Sequence, residues 1–347
     1  MQDMAGSVFM PAQKEEKMLS YTEFREETRG QMEQKLGDRY RVDIHSIRKA
    51  NTGAQDAIAV FEKESTGCCA SPNIYLGPLY QKYKEGVGMQ EITEGAVSMY
   101  RKGMETADAA VGHMPDISGY GSCRDRLYFR LAATEKNRTL LKGVPHREVM
   151  DLSVIPYLLL KETGSGMGSV MVNNAMVKKW GVSGETVLEQ AFVNAPKILP
   201  VAIDTMFSVM ERLYRESAGG QQDPMENAGE TEAFPGILPK TGEPPEIYIM
   251  TNEKGLNGFA AVLYPGALKS AADMAGRDLY VLPSSVHEAI LIPAGCFTGA
   301  HGLSEMVREV NAACVAEEEV VSDSVYFYDR KEGKLSMAEE GKLCAEF

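Results

Sequence analysis

Along residues 21–36, YTEFREETRGQMEQKL, the positions Phe24, Thr28, Met32 and Leu36 recur every four residues among charged neighbours. That spacing predicts one buried stripe on a helix, ended by Gly37. The period then changes. In RYRVDIHSIRKA, Tyr40, Val42, Ile44 and Ser46 alternate with polar residues, the pattern of a half-buried strand. DAIAVFEKE is expected to return as its hairpin partner across NTGAQ. PNIYLGPLY is a short extended piece leading into helical spacing at Ile92, Ala96, Met99 and Tyr100, with a loop at GHMPDISGYG. CRDRLYFRLAATEKNRTLLKG is expected as one long helix closed by Gly143, with Pro145 beyond it.

LSVIPYLLLKE predicts a strand in which Pro156 marks a bulge or a sheet edge. TGSGMG turns the chain and SVMVNN returns it. WGVSGETVLEQAFVNAP predicts a helix capped by Ser183, with Val187, Leu188, Ala191 and Phe192 facing inward. Later, EIYIMTN and GFAAVLY flank EKGLN, and a helix follows at GALKSAADMAG. DLYVLP and EAILIP flank SSVH, and a helix follows at LSEMVREVNAAC; SVYFYDR and KLSMA flank KEG. A hairpin followed by a helix therefore recurs as architecture, without a residue-level repeat. The expected fold class is α+β, with mostly antiparallel sheet built from these hairpin-then-helix units. A doubly wound parallel sheet would alternate single strands with helices.

The same pattern divides the chain. A flexible tail is expected over 1–19, an N-terminal α+β region over 20–143, and a central hairpin with helices over 144–215. Residues 216–246 are rich in Gly, Pro, Glu and Gln and predict an acidic disordered linker. Residues 247–347 form a C-terminal hairpin–helix region expected to pack with the central one.

Composition narrows the class. Hydrophobic residues are 44% and charged residues 24% of the chain, ordinary for a soluble globular protein long enough to fold without staples. The net charge of −13 repels phosphate backbones and anionic lipid, so no nucleic acid and no membrane is expected as a partner. No apolar run reaches spanning length, and the first residues lack a basic segment ahead of an apolar one, so neither a membrane span nor a signal peptide is expected. Cys68, Cys69, Cys123, Cys296, Cys314 and Cys344 are scattered with no C-x2-C spacing, which fits a reducing cytoplasm.

Most candidate chemistry resolves into structure. TGSGMGS holds a G-x-G, but a strand follows it and no acid is placed to read a ribose, so it reads as a hairpin turn. His146 and Glu148 stand two apart in GVPHREVMD, which reads as a helix start with Glu148 in its first turn. The five histidines, at 45, 113, 146, 287 and 301, share no local metal spacing; no metal or cofactor is expected. Trp180 is expected as a core or cap anchor.

VLPSSVHEAILIP is the exception, with Ser284, Ser285, His287 and Glu288 within five positions. If the segment is a strand, Ser285 and His287 share a face and Glu288 points away. A triad would then need a distant acid such as Glu253 or Asp323. If SSVH is a turn, the serine hydroxyls bond backbone and Pro283 closes the incoming strand. The turn accounts for every residue and leads. A binding cleft at clustered hairpin ends would add Asn173, Asn174, Asn252, Glu253, Asn257 and Glu288. A catalytic Ser284 or Ser285 with His287 is the remaining option.

TNEKGLNGFAAVLYPGAL, DLYVLPSSVHEAILIP, VYFYDRKEGKLSM, TEKNRTLLKGVPHREVMDLSVI and NNAMVKKWGVSGETVLEQA together resemble a bacterial domain-of-unknown-function family, number 5688, from gut anaerobic Gram-positive bacteria. The resemblance covers residues 20–337 and implies a cytosolic bacterial protein. It carries over no catalytic residues. The expected function is non-enzymatic binding or regulation, with a small molecule or protein as ligand. The alternatives are a serine-hydrolase-like enzyme and an adaptor acting through the acidic linker.

Overall fold

The computed structural model describes residues 18–48, 50–51, 53–63, 72–111, 115–163, 166–217, 246–296 and 300–338. Almost all of the expected tail and of the expected linker lie outside these residues. The chain is α+β, and every strand pairing whose register is described is antiparallel. It divides into two units, residues 1–47 with 54–112 and residues 48–53 with 113–347. The expected boundary at residue 143 therefore falls inside the second unit.

In the first unit, helix α1 (Tyr21–Leu36) buries Phe24, Thr28 and Met32, the stripe its spacing predicts. Ser20 and Glu23 form a reciprocal capping box, which satisfies free N–H groups at the helix start. Gly37 ends the helix at φ +87°, a conformation that disfavours other residues. Strands β1 (Tyr40–Arg48), β2 (Ala54–Glu62) and β3 (Ile74–Tyr75) form a sheet in that order. The extended piece is only two residues long, because helix α2 (Leu76–Lys84) begins directly after it. Helix α3 (Met89–Val111) buries Ile92, Ala96, Val97 and Tyr100, whereas Met99 is exposed.

The second unit opens with helix α4 (Tyr120–Cys123) and a 3-10 turn over Arg124–Arg126. The expected long helix is instead strand β4 (Leu127–Ala133) followed by helix α5 (Thr134–Leu141). Its continuous apolar run Leu127–Phe129 hides the strand's period because both faces are buried. Strands β5 (Arg147–Val149), β6 (Leu152–Thr163) and β7 (Gly166–Met171) complete this sheet. The helix start expected at Glu148 is thus a strand.

Pro156 lies in the central strand β6, paired with Phe129 of β4, and not at an edge. Its carbonyl accepts the Val172 N–H at 3.0 Å, so its missing N–H faces that same side. There β5 covers Leu152–Val154 and β7 ends opposite Tyr157, so the proline occupies the gap between partners. The bulge in β6 sits between Leu159 and Lys161 instead.

Between β5 and β6, Met150 takes φ +58° in a two-residue turn and sets Asp151 toward two hydroxyls. Tyr326 donates to the Asp151 carboxylate at 2.7 Å and Ser322 at 2.6 Å.

Helix α6 (Asn174–Trp180) has no counterpart in the sequence expectation, whereas helix α7 (Gly184–Ile198) keeps Ser183 as its N-cap. The Trp180 indole donates to the Ile117 carbonyl at 3.0 Å. Strand β8 (Val201–Thr205) and helix α8 (Met206–Ser217) follow, also unexpected, and then strand β9 (Tyr248–Asn252). GFAAVLY is a buried 3-10 helix, Gly258–Leu263, not a strand. The partners of β9 are therefore β8 and β11, not a hairpin neighbour.

Helix α9 (Ala267–Ala275), strands β10 (Leu279–Ser285) and β11 (Glu288–Pro293), helix α10 (Ala300–Cys314) and strands β12 (Tyr326–Asp329) and β13 (Lys334–Met337) match expectation. The six-stranded sheet runs β13-β12-β10-β11-β9-β8. Its central strands β10 and β11 are buried on both faces. Leu279, Val281 and Leu291 join the main core, while Tyr280, Leu282 and Ile292 pack with Leu303 and Val307 of α10. Fully burying each such side chain contributes roughly 1.5–3 kcal/mol.

Candidate functional site

The β10–β11 turn places the serine–histidine cluster. Strand β10 continues to Ser285, which pairs with Glu288, so the turn is Val286–His287 and a bulge falls at Ser284. Three segments clamp it. The Val286 carbonyl accepts the Phe259 N–H at 3.2 Å, and the Val286 N–H donates to the Glu319 carbonyl at 2.8 Å. Thr251 Oγ1 donates to the His287 carbonyl at 2.8 Å.

Each serine has a local partner. The Ser285 hydroxyl accepts the His287 backbone N–H at 3.0 Å, and the Ser284 hydroxyl donates to the Glu288 carboxylate at 3.2 Å. His287 Nδ1 accepts the Asn257 N–H at 3.2 Å and lies 3.2 Å from the Gly255 carbonyl. Its Nε2 is 3.7 Å from Glu319, beyond hydrogen-bond reach. Backbone groups thus occupy one ring nitrogen and a carboxylate faces the other. Among the described residues, no serine hydroxyl is bonded to the ring.

The acid beside His287 is therefore Glu319, neither of the two acids that the sequence suggested. The Asp323 carboxylate accepts from Asn311 at 2.8 Å, and Glu253 is exposed with its N–H on the Pro200 carbonyl at 3.0 Å. Asn252 closes its own loop, accepting the Lys254 N–H at 3.0 Å and donating to the Leu256 carbonyl at 2.8 Å. Asn257 turns the chain at φ +54°. The structure brings Ser284, Ser285, His287, Glu288 and Asn257 together. Asn173 instead caps α6 by accepting the Met176 N–H at 2.9 Å, and Asn174 donates to the Lys142 carbonyl at 3.2 Å.

The opposite end of the same hairpin carries a different site. Leu279 pairs with both Pro293 and Tyr328, which brings the start of β10, the end of β11 and the end of β12 side by side. A cleft of about 700 Å³ opens there, lined by Lys269, Asp273, Arg277, Asp278, Arg330 and Lys331 with Gly276 and Ala294. Four cations face two carboxylates in a chain of net charge −13.

The site is built around Arg330. Its Nε donates to Asp273 at 2.9 Å and its Nη1 to the Gly276 carbonyl at 3.2 Å, while its backbone N–H donates to Asp278 at 2.8 Å. Lys269 donates to the same Asp273 carboxylate at 2.6 Å. These bonds, Lys269 first, hold the Asp273 carboxyl below its usual range. Arg277 Nη1 donates to the Ala294 carbonyl at 3.2 Å. Among the described residues, neither Arg277 nor Lys331 has a carboxylate partner. Arg277, oriented by a carbonyl, and Lys331 leave the cleft with more cations than carboxylates even with Asp278 counted, a surplus that attracts an anion.

Sequence reading missed these residues because they come from three separate segments and form no motif. The available signal was charge. DRK at 329–331 carries a net positive charge in an acidic chain, and GRD at 276–278 adds a further arginine beside an aspartate.

Among the described residues, no group of three or more His, Cys, Asp or Glu could hold a metal ion, and no helix is long and apolar enough to cross a membrane. No curated protein and no solved structure matches the chain. The model of a family of unknown function, DUF5688, matches residues 21–330, and the chain belongs to that family.

Proposed function

We propose that this is a non-enzymatic binding or regulatory protein of the bacterial cytoplasm, whose ligand presents an anionic group to the cleft beside Arg330. The carrying observation is the pair of uncompensated cations, Arg277 and Lys331, beside an arginine fixed by three bonds. The cleft, of about 700 Å³, is open to solvent, so an anionic group can reach it without entering a closed cavity. The Arg330 side chain is 42% exposed, so water screens the charges and affinity for a simple anion is modest.

The hydrolase reading has less support. A serine nucleophile needs a base on its hydroxyl, and the His287 ring nitrogens face Asn257 and Glu319 instead. The adaptor reading rests on the acidic segment, outside the described residues.

Isothermal titration with inorganic phosphate tests the proposal. Binding near the millimolar level corresponds to about 4 kcal/mol. The double variant Arg277→Ala/Lys331→Ala is expected to weaken it at least about tenfold, because charge-assisted hydrogen bonds contribute roughly 1.5–3 kcal/mol each. Equal binding by wild type and variant would sink the proposal.

A further inference from the structure

The His287 ring meets two groups of opposite kind at one nitrogen. Nδ1 lies 3.2 Å from the Asn257 backbone nitrogen, a donor, and 3.2 Å from the Gly255 carbonyl oxygen, an acceptor. A ring nitrogen carries either a lone pair or a hydrogen, so Nδ1 serves one of the two at a time. With the ring neutral and its hydrogen on Nε2, Nδ1 accepts from Asn257 and does nothing for Gly255. With both nitrogens protonated, Nδ1 donates to Gly255 and the Asn257 N–H loses its acceptor. Both partners already stand at hydrogen-bond distance, so the exchange needs no rotation of the ring. A histidine held for structure alone would face one kind of partner here, not one of each.

The surroundings make Asn257 the point that yields. Asn252 braces the loop before it, accepting the Lys254 N–H at 3.0 Å and the Leu256 N–H at 3.4 Å and donating to the Leu256 carbonyl at 2.8 Å. After it, Gly258 is buried and the Phe259 N–H is held by the Val286 carbonyl at 3.2 Å. Asn257 lies between these fixed points at φ +54°, and it is partly exposed, so water can take over its N–H. The charged neighbours favour a charged ring. Glu319 faces Nε2 at 3.7 Å, and Glu288 follows in β11 with its carboxylate on Ser284. Glu253, Lys254, Glu317 and Glu318 on the flanking segments are exposed. Among the described residues, Glu319 alone has a charged atom within 4 Å of the ring.

We infer that His287 is a proton-operated latch on the loop from Asn252 to Gly258. A proton taken from water at Nδ1 moves the ring's bond from Asn257 to Gly255, frees the Asn257 N–H and draws the imidazolium toward Glu319. The latch lies at the end of the β10–β11 hairpin remote from the cleft beside Arg330, and does not depend on a ligand there.

Nitrogen–proton NMR of the full chain from about pH 8 to about pH 5, where histidines change charge, tests the inference. The ring-nitrogen signals of His287, assigned by their loss in His287→Asn, report which nitrogen carries a hydrogen. Amide hydrogen exchange, corrected for its intrinsic pH dependence, reports the bond at Asn257. The neutral ring is expected to hold its hydrogen on Nε2. Asn257 protection is expected to fall about fivefold, the worth of one hydrogen bond, in step with protonation of the ring, while Phe259 protection stays constant. In His287→Asn, whose side-chain oxygen accepts without titrating, Asn257 protection is expected to be independent of pH. A neutral ring with its hydrogen on Nδ1, Asn257 protection that ignores the ring, an equal loss at Phe259, or a pH response that survives in His287→Asn overturns the inference.

Discussion

Gly258 is where a single added methyl group should do the most visible damage. A Cβ at this position would lie 2.1 Å from Thr251 Oγ1, 2.5 Å from the His287 carbonyl oxygen and 2.8 Å from the Asn252 nitrogen. Two of these neighbours are backbone atoms of β9 and of the β10–β11 turn, so rotamer changes cannot relieve the clash. The third is the hydroxyl that bonds His287, and displacing it forfeits that contact. Overpacking costs about 1–3 kcal/mol and a lost hydrogen bond about 1 kcal/mol. Alanine's smaller unfolded-state entropy returns up to about 1 kcal/mol. Gly258→Ala is therefore expected to destabilise the second unit by about 2 kcal/mol, lowering its melting temperature by roughly 4–8 °C. Gly95→Ala is the control, since a Cβ there meets nothing within 4 Å. Differential scanning calorimetry of both variants separates the cases. A Gly258→Ala melting point at or above wild type would refute the claim that the turn is locked against this loop.

Asp151→Ala removes the acceptor for Ser322 and for the buried Tyr326 hydroxyl. It is expected to cost about 3 kcal/mol in urea unfolding, and adding Tyr326→Phe should recover part of that; strictly additive costs would contradict the shared bond. Asp273 is expected to titrate below its ordinary value of 3.8, because Lys269 and Arg330 favour the carboxylate. The stability from these pairs is complete above that value and fades as pH falls through the lowered one. Carbonyl NMR of Asp273 should show the midpoint rising in Lys269→Ala, and an unchanged midpoint would show that the lysine does not hold it.

The fold was legible where one face of an element meets water. The four-residue stripe of α1 could be read directly because its opposite face is solvated, whereas in β1 only Val42 is buried and Ser46, expected on the inner face, is exposed. Legibility failed where burial surrounds an element. Leu127–Phe129 and Gly258–Val262 are apolar without a break, and such runs do not separate strand from helix. Pro156 misled for another reason. Its tolerance depends on a gap between β5 and β7 that exists only once both have paired with β6. Turn chemistry at Ser284–Glu288 was readable, since hydroxyl-to-backbone bonding is local. The cleft was not, because Arg277, Ala294 and Arg330 become neighbours only through the register of three antiparallel strands.

The central claim is that this family member acts by binding an anion at the start of β10 and not by chemistry at its far end. Chemical-shift mapping of the full chain during titration with inorganic phosphate tests it most directly. The expected result is saturable shifts at Arg277, Arg330 and Lys331, with Ser284, Ser285 and His287 unmoved. Saturable shifts centred on Ser284–Glu288, or none at the three cleft cations, would contradict it.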